Sequence, residues 1–328
     1  MTTTIIILVA LAVVFDFLCG ILDSSNIVAT MVSSRAFSPR VALSVTAVAG
    51  FLGPFLFGVA VAKTFGNDVV EPASISIMVI FAALASAILW CLITWFLGIP
   101  SSSSHALIGG LIGAVAIGSD FGAIQLGGLE KVLFSLFVSP LVGFVVGFLL
   151  ARLVYFLSLN STPKINWFFK RSQILTAIAL AFSHGTNGAQ KTMGIVTLGL
   201  IATGNLVVFE IPIWVILTCA SAIALGTVIG GWRLIKTLGA KFFKIKPVDG
   251  FNSQLASAIV ILGASLLGGP VSTTQVVSST IMGVGSAERV SKVRWGVVKD
   301  ILIAWLVTIP ATAVVAAGIY WVITFYTS

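Results

Sequence analysis

The chain has 328 residues, of which 58% are hydrophobic and only 9% charged, with a mean hydropathy of +1.15. So little charge cannot cover a soluble surface, and apolar blocks of about 18 or more residues recur from end to end, the pattern of a polytopic helical membrane protein. The formal net charge of +8 sits in loops, where it reports orientation in a bilayer and gives no sign of nucleic-acid binding.

In chain order the first half holds apolar blocks over 4–36, 39–62, 74–97, 101–118 and 131–160. The second half holds blocks over 172–203, 211–231, 252–268, 271–285 and 295–324. The first block lacks a basic flank and outruns a signal peptide, so a retained helix is expected. Cys19, Cys91 and Cys219 lie inside apolar blocks without metal or disulfide spacing, and packing roles are expected for them.

Three motifs recur in the same order in both halves, as duplication would produce. Asp23-Ser24-Ser25-Asn26 matches Asn187-Gly188-Ala189-Gln190, and Lys63-Thr64-Phe65-Gly66 matches Lys236-Thr237-Leu238-Gly239. Pro100 to His105, with four serines between, matches Pro270 to Gln275. Loop charges then orient the copies. Arg35 and Arg40 follow block one, but only Glu210 follows its counterpart. Lys63, Asp68 and Glu71 follow block two, against Arg233, Lys236, Lys241, Lys244, Lys246 and Asp249 in half two. Asp120, Glu130 and Lys131 after block four face Glu288, Arg289, Lys292, Arg294 and Lys299. The positive-inside rule therefore puts equivalent loops on opposite faces.

The expected fold is an all-α polytopic membrane protein of two inverted-topology repeats, with about 10–12 membrane segments. Residues 1–160 form the first repeat, 161–171 a cytoplasmic linker and 172–328 the second repeat. Both termini lie outside on this trace. Blocks three and four of each half form a hairpin, either crossing twice with an exposed tip or re-entrant with its tip at mid-membrane. The short fourth blocks favour the re-entrant form.

Inverted repeats with interrupted helices suit alternating access. Two helix N-termini meeting near the midplane would aim free N–H groups and positive dipole ends at one anion. The candidate anion ligands are Ser101, Ser102, Ser103, Ser104, Ser272, Thr273 and Thr274; the plainer reading is close helix packing through small residues. Asp23, Asn26, Asn187 and Gln190 offer hard oxygens suited to an alkali cation such as sodium. The plainer reading of Asp23 has it near an interface, solvated or hydrogen-bonded to Ser24 or Ser25. Asp16 reads as a further cation or proton site, or as a helix-packing hydrogen bond. His105 and His184 read as proton relays or as neutral hydrogen-bonded side chains. Lys191 reads as a partner for a bound anion or for Asp23, or as a snorkelling side chain. Asp300 reads as a charge balance beside Lys299 and Arg294. Ser104 and His105 are adjacent with no acid in readable relation, and there is no Walker-type loop, so neither a hydrolase nor an ATP-driven pump is expected.

At these residues the chain resembles the inorganic phosphate transporter (PiT) family over nearly its whole length. The resemblance lies in Asp23 to Thr30, Ser183 to Gly194, Gly230 to Gly239, Gly269 to Thr274, and the run from Trp295 through Trp305 to Pro310. It implies secondary phosphate transport driven by sodium or protons in a membrane homodimer. By position, phosphate would lie between the hairpin tips, with sodium at Asp23, Asn26, Asn187 and Gln190. Gly188 stands where the family often has Asp, Gln275 where it often has His, and Leu22 where a polar residue is frequent. Losing those titratable groups tilts the expectation toward sodium. Proton-coupled phosphate or sulfate transport is the alternative, with an anion channel behind it.

Overall fold

The computed structural model describes residues 3–119, 121–231, 235 and 244–327, with the side chains at 73, 121, 300 and 327 outside the description. The expectations placed on Asp120, Arg233, Lys236, Lys241, the Lys236–Gly239 match and the Asp300 side chain therefore fall outside the described residues. The described chain is helical, with one isolated bridge between Val70 and Ile124.

Its helices are α1 (Thr3–Ser33), α2 (Pro39–Phe57), α3 (Ala60–Lys63), α4 (Ile77–Leu97), α5 (Ser103–Gly118), α6 (Leu126–Leu157), α7 (Ile165–Ala202), α8 (Ile213–Ile229), α9 (Pro247–Leu266), α10 (Thr273–Glu288) and α11 (Trp295–Thr327). Among the described residues five of these (α1, α2, α4, α6 and α11) are long and apolar enough to cross a membrane. Helices α5 and α10 have 16 residues each, roughly 24 Å at 1.5 Å per residue, short of a hydrocarbon core of about 30 Å. Burial is turned inside out relative to a soluble protein. Phe134, Leu141, Leu149 and Phe156 on α6 are exposed, whereas Asp16, Asp23, Asn26, Asn187, Gln190 and Lys191 are buried. An apolar rim around a polar centre is what lipid as solvent selects.

The block expected over 39–62 does not run as one helix. Pro54 removes a backbone donor inside α2, and the helix ends at Phe57 where Gly58 takes φ +77°. A single turn of α3 and a π-type turn over Thr64–Asp68 follow. Averaged hydropathy is blind to this break, because the residues on both sides are apolar.

Both hairpins are built by the same local chemistry. After α4, Gly98 turns left-handed at φ +68°, its N–H reaching Trp95 O while Ile99 N–H reaches Thr94 O. After α9, Gly268 does the same at φ +69°, with bonds to Ser265 O and from Gly269 N to Ala264 O. These are Schellman-type stops, where only glycine turns left-handed without penalty. Pro100 and Pro270 then bar any return to helix, and Ser102 and Ser272 cap the next one by accepting from His105 N (3.1 Å) and Gln275 N (3.3 Å).

Packing crosses between the halves. Helix α5 lies against α11, and α10 against α6; α1 packs on α8, and α2 on α7. Glycines leave no room for a side chain where α1 meets α8 and α2 meets α7. A β-carbon on Gly20 would collide with the Ile223 carbonyl, and one on Gly185 with the Gly50 carbonyl.

Candidate functional site

The two hairpin tips meet in the interior. Ser104 Oγ donates to Val271 O at 3.1 Å, and Gln275 Nε2 donates to His105 Nδ1 at 3.1 Å. The N-terminal ends of α5 and α10 thus converge, each carrying a serine cap and a further hydroxyl. Ser102, Ser104, Ser272, Thr273 and Thr274 are all buried, and Ser101 and Ser103 partly so. A tip exposed beyond the membrane surface is inconsistent with this burial; the re-entrant form fits it.

The tips are held from behind by side chains of neighbouring helices. Trp90 Nε1 donates to Ser101 Oγ at 2.9 Å, and Thr308 Oγ1 lies 3.1 Å from the same hydroxyl. Trp305 Nε1 donates to Pro100 O at 3.2 Å. On the other tip Asn187 does the comparable work. Its Nδ2 donates to Ser265 Oγ at 2.8 Å and Gly269 O at 3.4 Å, and its Oδ1 accepts from Val271 N at 3.2 Å.

Asp23 and Asn26, one turn apart on α1, come together with Thr274. Asn26 Nδ2 donates to Asp23 Oδ1 at 2.8 Å and to Thr274 Oγ1 at 2.9 Å, and Thr274 Oγ1 donates to Asp23 Oδ1 at 3.2 Å. Asn26 Oδ1 is buried without a partner among the described residues, so an oxygen ligand is available there. A cavity of about 10 Å³ bounded by Leu22, Ser25, Asn26, Pro100, Ser101 and Thr274 adjoins this cluster. That is about one water's worth of space and far too little for a phosphate.

The four expected cation ligands do not form one shell. Gln190 spends its amide on the α2–α3 break, accepting from Val61 N at 2.8 Å and Ala62 N at 3.2 Å and donating to Gly58 O. A break in a buried helix leaves orphan backbone groups, and a long amide satisfies donors and acceptor at once. Asn187 is committed to the second tip. Asp23 and Asn26 remain, joined by Thr274, which had been expected among the anion ligands.

Lys191, read from the sequence as a partner for a bound anion or for Asp23 or as a snorkelling side chain, lies at the centre. It is 4% exposed, and its Nζ donates to Ser104 Oγ at 2.6 Å and to Val271 O at 2.9 Å, one contact on each tip. Asp16 is tied to Thr192 Oγ1, a helix-packing hydrogen bond, and its Oδ2 is unpartnered among the described residues. Both His184 ring nitrogens are buried without a partner among the described residues. Sequence could flag Lys191 as a buried amine, but its contacts lie 80 or more positions away in the chain, a distance no local pattern encodes.

Residues 19–316 match the phosphate transporter family. A "Probable low-affinity inorganic phosphate transporter" of Bacillus subtilis (strain 168) is 46% identical over 97% of this chain and 96% of its own length. One of the same description from Rhizobium meliloti (strain 1021) is 44% identical over 95% and 94%. The solved structure of "The sodium-dependent phosphate transporter" superposes with a TM-score of 0.91 at 27% identity, covering 99% of this chain and 100% of that one. A helical bundle with an apolar rim and two hydroxyl-capped tips at its centre, matched end to end by proteins of this kind, is a transporter and not an enzyme: the chain belongs to the phosphate transporter family.

Proposed function

We propose that this protein imports inorganic phosphate across the plasma membrane coupled to sodium, by alternating access between two inverted repeats, 1–160 and 172–328. Phosphate lies where the N-termini of α5 and α10 converge, held by the hydroxyls of Ser103, Ser104, Thr273 and Thr274 and by backbone N–H groups behind the Ser102 and Ser272 caps. Neutral donors can hold an anion there without trapping it. Sodium lies at Asp23 and Asn26, with Thr274 as the hydroxyl that joins the two sites. The termini face outward, and the working unit is a homodimer.

The contact between the tips carries this reading. It places two helix N-termini, from opposite halves, around one buried point beside the carboxylate of Asp23. The tips are too close here to admit phosphate, so binding requires them to part, as alternating access demands. Sodium coupling is supported by the Asp23 carboxylate beside the unpartnered Asn26 Oδ1 and by the sodium-dependent protein that superposes on this chain.

The test is ³²P-phosphate uptake into proteoliposomes under an imposed inward sodium gradient, then under a proton gradient without sodium. Uptake that saturates and follows the sodium gradient is expected. Equal uptake without sodium would remove the coupling choice, and sulfate uptake that excess phosphate fails to inhibit would remove the substrate.

A further inference from the structure

The two halves bring matching positions to the centre with opposite chemistry. Ser104 and Thr274 each stand two residues after a capping serine. Each is met by a side chain from the other half: Thr274 by Asn26 of α1, Ser104 by Lys191 of α7. The crossing glycines fix the same register, because Gly20 lies six residues before Asn26 and Gly185 six before Lys191. Asn26 therefore corresponds to Lys191, and Asp23 to Gly188, a register one residue beyond the motif match read from sequence. One half presents a carboxylate and an amide. The other presents no carboxylate and an ammonium.

We propose that Lys191 is a built-in cation. Its ammonium permanently holds the place that the Asp23 side fills with a mobile ion, so that one phosphate travels with a single sodium. The inference rests on the sodium-coupled reading above. An ammonium has three donors, and two of them reach Ser104 Oγ and Val271 O, leaving one for a bound anion. A buried charge persists only when compensated. With the Asp23 carboxylate answered by its sodium, a bound phosphate anion would answer the Lys191 ammonium. On the Asp23 side the unpartnered Asn26 Oδ1 and the carboxylate call for a cation from solution. At Gly188 there is no acidic group to make that demand. A β-carbon there would make ordinary contacts of 3.4 Å to His184 Cε1 and 3.6 Å to Ile223 Cδ1, so a side chain can begin at this position.

The count of ²²Na taken up per ³²P-phosphate in proteoliposomes decides the matter. The native protein is expected to carry one sodium per phosphate. Lys191→Met should raise the half-saturating phosphate concentration about ten- to a hundredfold, the loss of a charged hydrogen bond. Gly188→Asp combined with Lys191→Asn rebuilds the Asp23–Asn26 pattern on α7 and should carry two sodium ions, a gain that a merely structural lysine would not produce. A native ratio of two or more would overturn the proposal without need of any variant. So would a Lys191→Met protein whose phosphate dependence stays within about twofold of native, or a transporting double variant that still carries one sodium. Phosphate uptake without any ²²Na uptake would overturn the sodium reading itself.

Discussion

Thr274 Oγ1 donates to Asp23 and accepts from Asn26, so one hydroxyl couples the carboxylate turn of α1 to the tip of the opposite hairpin. Replacing it by Val keeps the shape and removes both bonds. At about 1 kcal/mol for each net hydrogen bond, the sodium concentration for half-maximal uptake should rise about thirtyfold in Thr274→Val. Asp23→Asn keeps the volume and removes the charge, and should weaken sodium dependence by an order of magnitude or more while phosphate binding changes less. Phosphate and sodium titrations of thermal stability in detergent would separate the two, and an equal loss in both would count against a cation at Asp23. Asp23, Asn26 and the hydroxyl clusters were legible in the sequence because polar groups in an apolar block need a reason. The spending of Gln190 on Gly58, Val61 and Ala62 was not legible, since a glutamine beside the motif looks the same whether it binds an ion or mends a helix break.

At the scale of elements, each hairpin depends on a stop followed by a fresh start, and the stop is a glycine at positive φ. Gly98 is the cleaner test, because a β-carbon there would meet nothing within 4 Å, whereas one at Gly268 would press on Lys131 Nζ at 3.3 Å. Gly98→Ala should therefore cost about 1 kcal/mol from backbone strain alone, read as a lower thermal midpoint. A midpoint equal to native would mean that the turn readily finds another conformation. The ten blocks and the two tips were readable from apolar runs punctuated by Gly, Pro and Ser. The end of α2 at Gly58 was not, since Val59, Ala60, Val61 and Ala62 continue the apolar run and hydropathy carries no φ angle.

Across the whole molecule, the bases of the two hairpins are fastened differently. The base of the first is joined by neutral groups and one exposed amide–carboxylate contact: the Val70–Ile124 bridge, Glu71 N to Ala123 O at 2.8 Å, Tyr320 OH to Gly118 O at 3.3 Å, and Gln125 Nε2 to Glu71 Oε2 at 2.9 Å. The base of the second is joined by ions. Tyr155 OH donates to Asp249 Oδ1 at 2.7 Å, Lys292 Nζ reaches Asp249 at 3.2 Å and Glu288 at 2.6 Å, and Lys246 Nζ reaches Glu288 at 2.8 Å. The loop charges lead to the expectation that this ionic base lies on the inner face. At exposed Glu288 partial burial acts to raise the carboxyl, but hydrogen bonds from Lys246 and Lys292 outweigh it and hold it below its ordinary value; the bond to Glu288 raises the Lys246 ammonium. A carboxylate lowered in the folded state stabilises above its unfolded pKa of about 4.3 and loses that contribution as pH falls; a raised ammonium stabilises below about 10.4 and loses it as pH climbs past that. Both ends of that window weaken the same corner, and so does salt, because exposed ion pairs are screened. Hydrogen exchange should therefore quicken at 246–250 and 288–292 on going from low salt to about 1 M, while 70–74 and 121–125 change less. Glu288→Gln should abolish most of the difference, since it removes the carboxylate that Lys246 and Lys292 share. Equal quickening at both hairpin bases, or an unchanged response in Glu288→Gln, would show that the ions decorate the second base without fastening it.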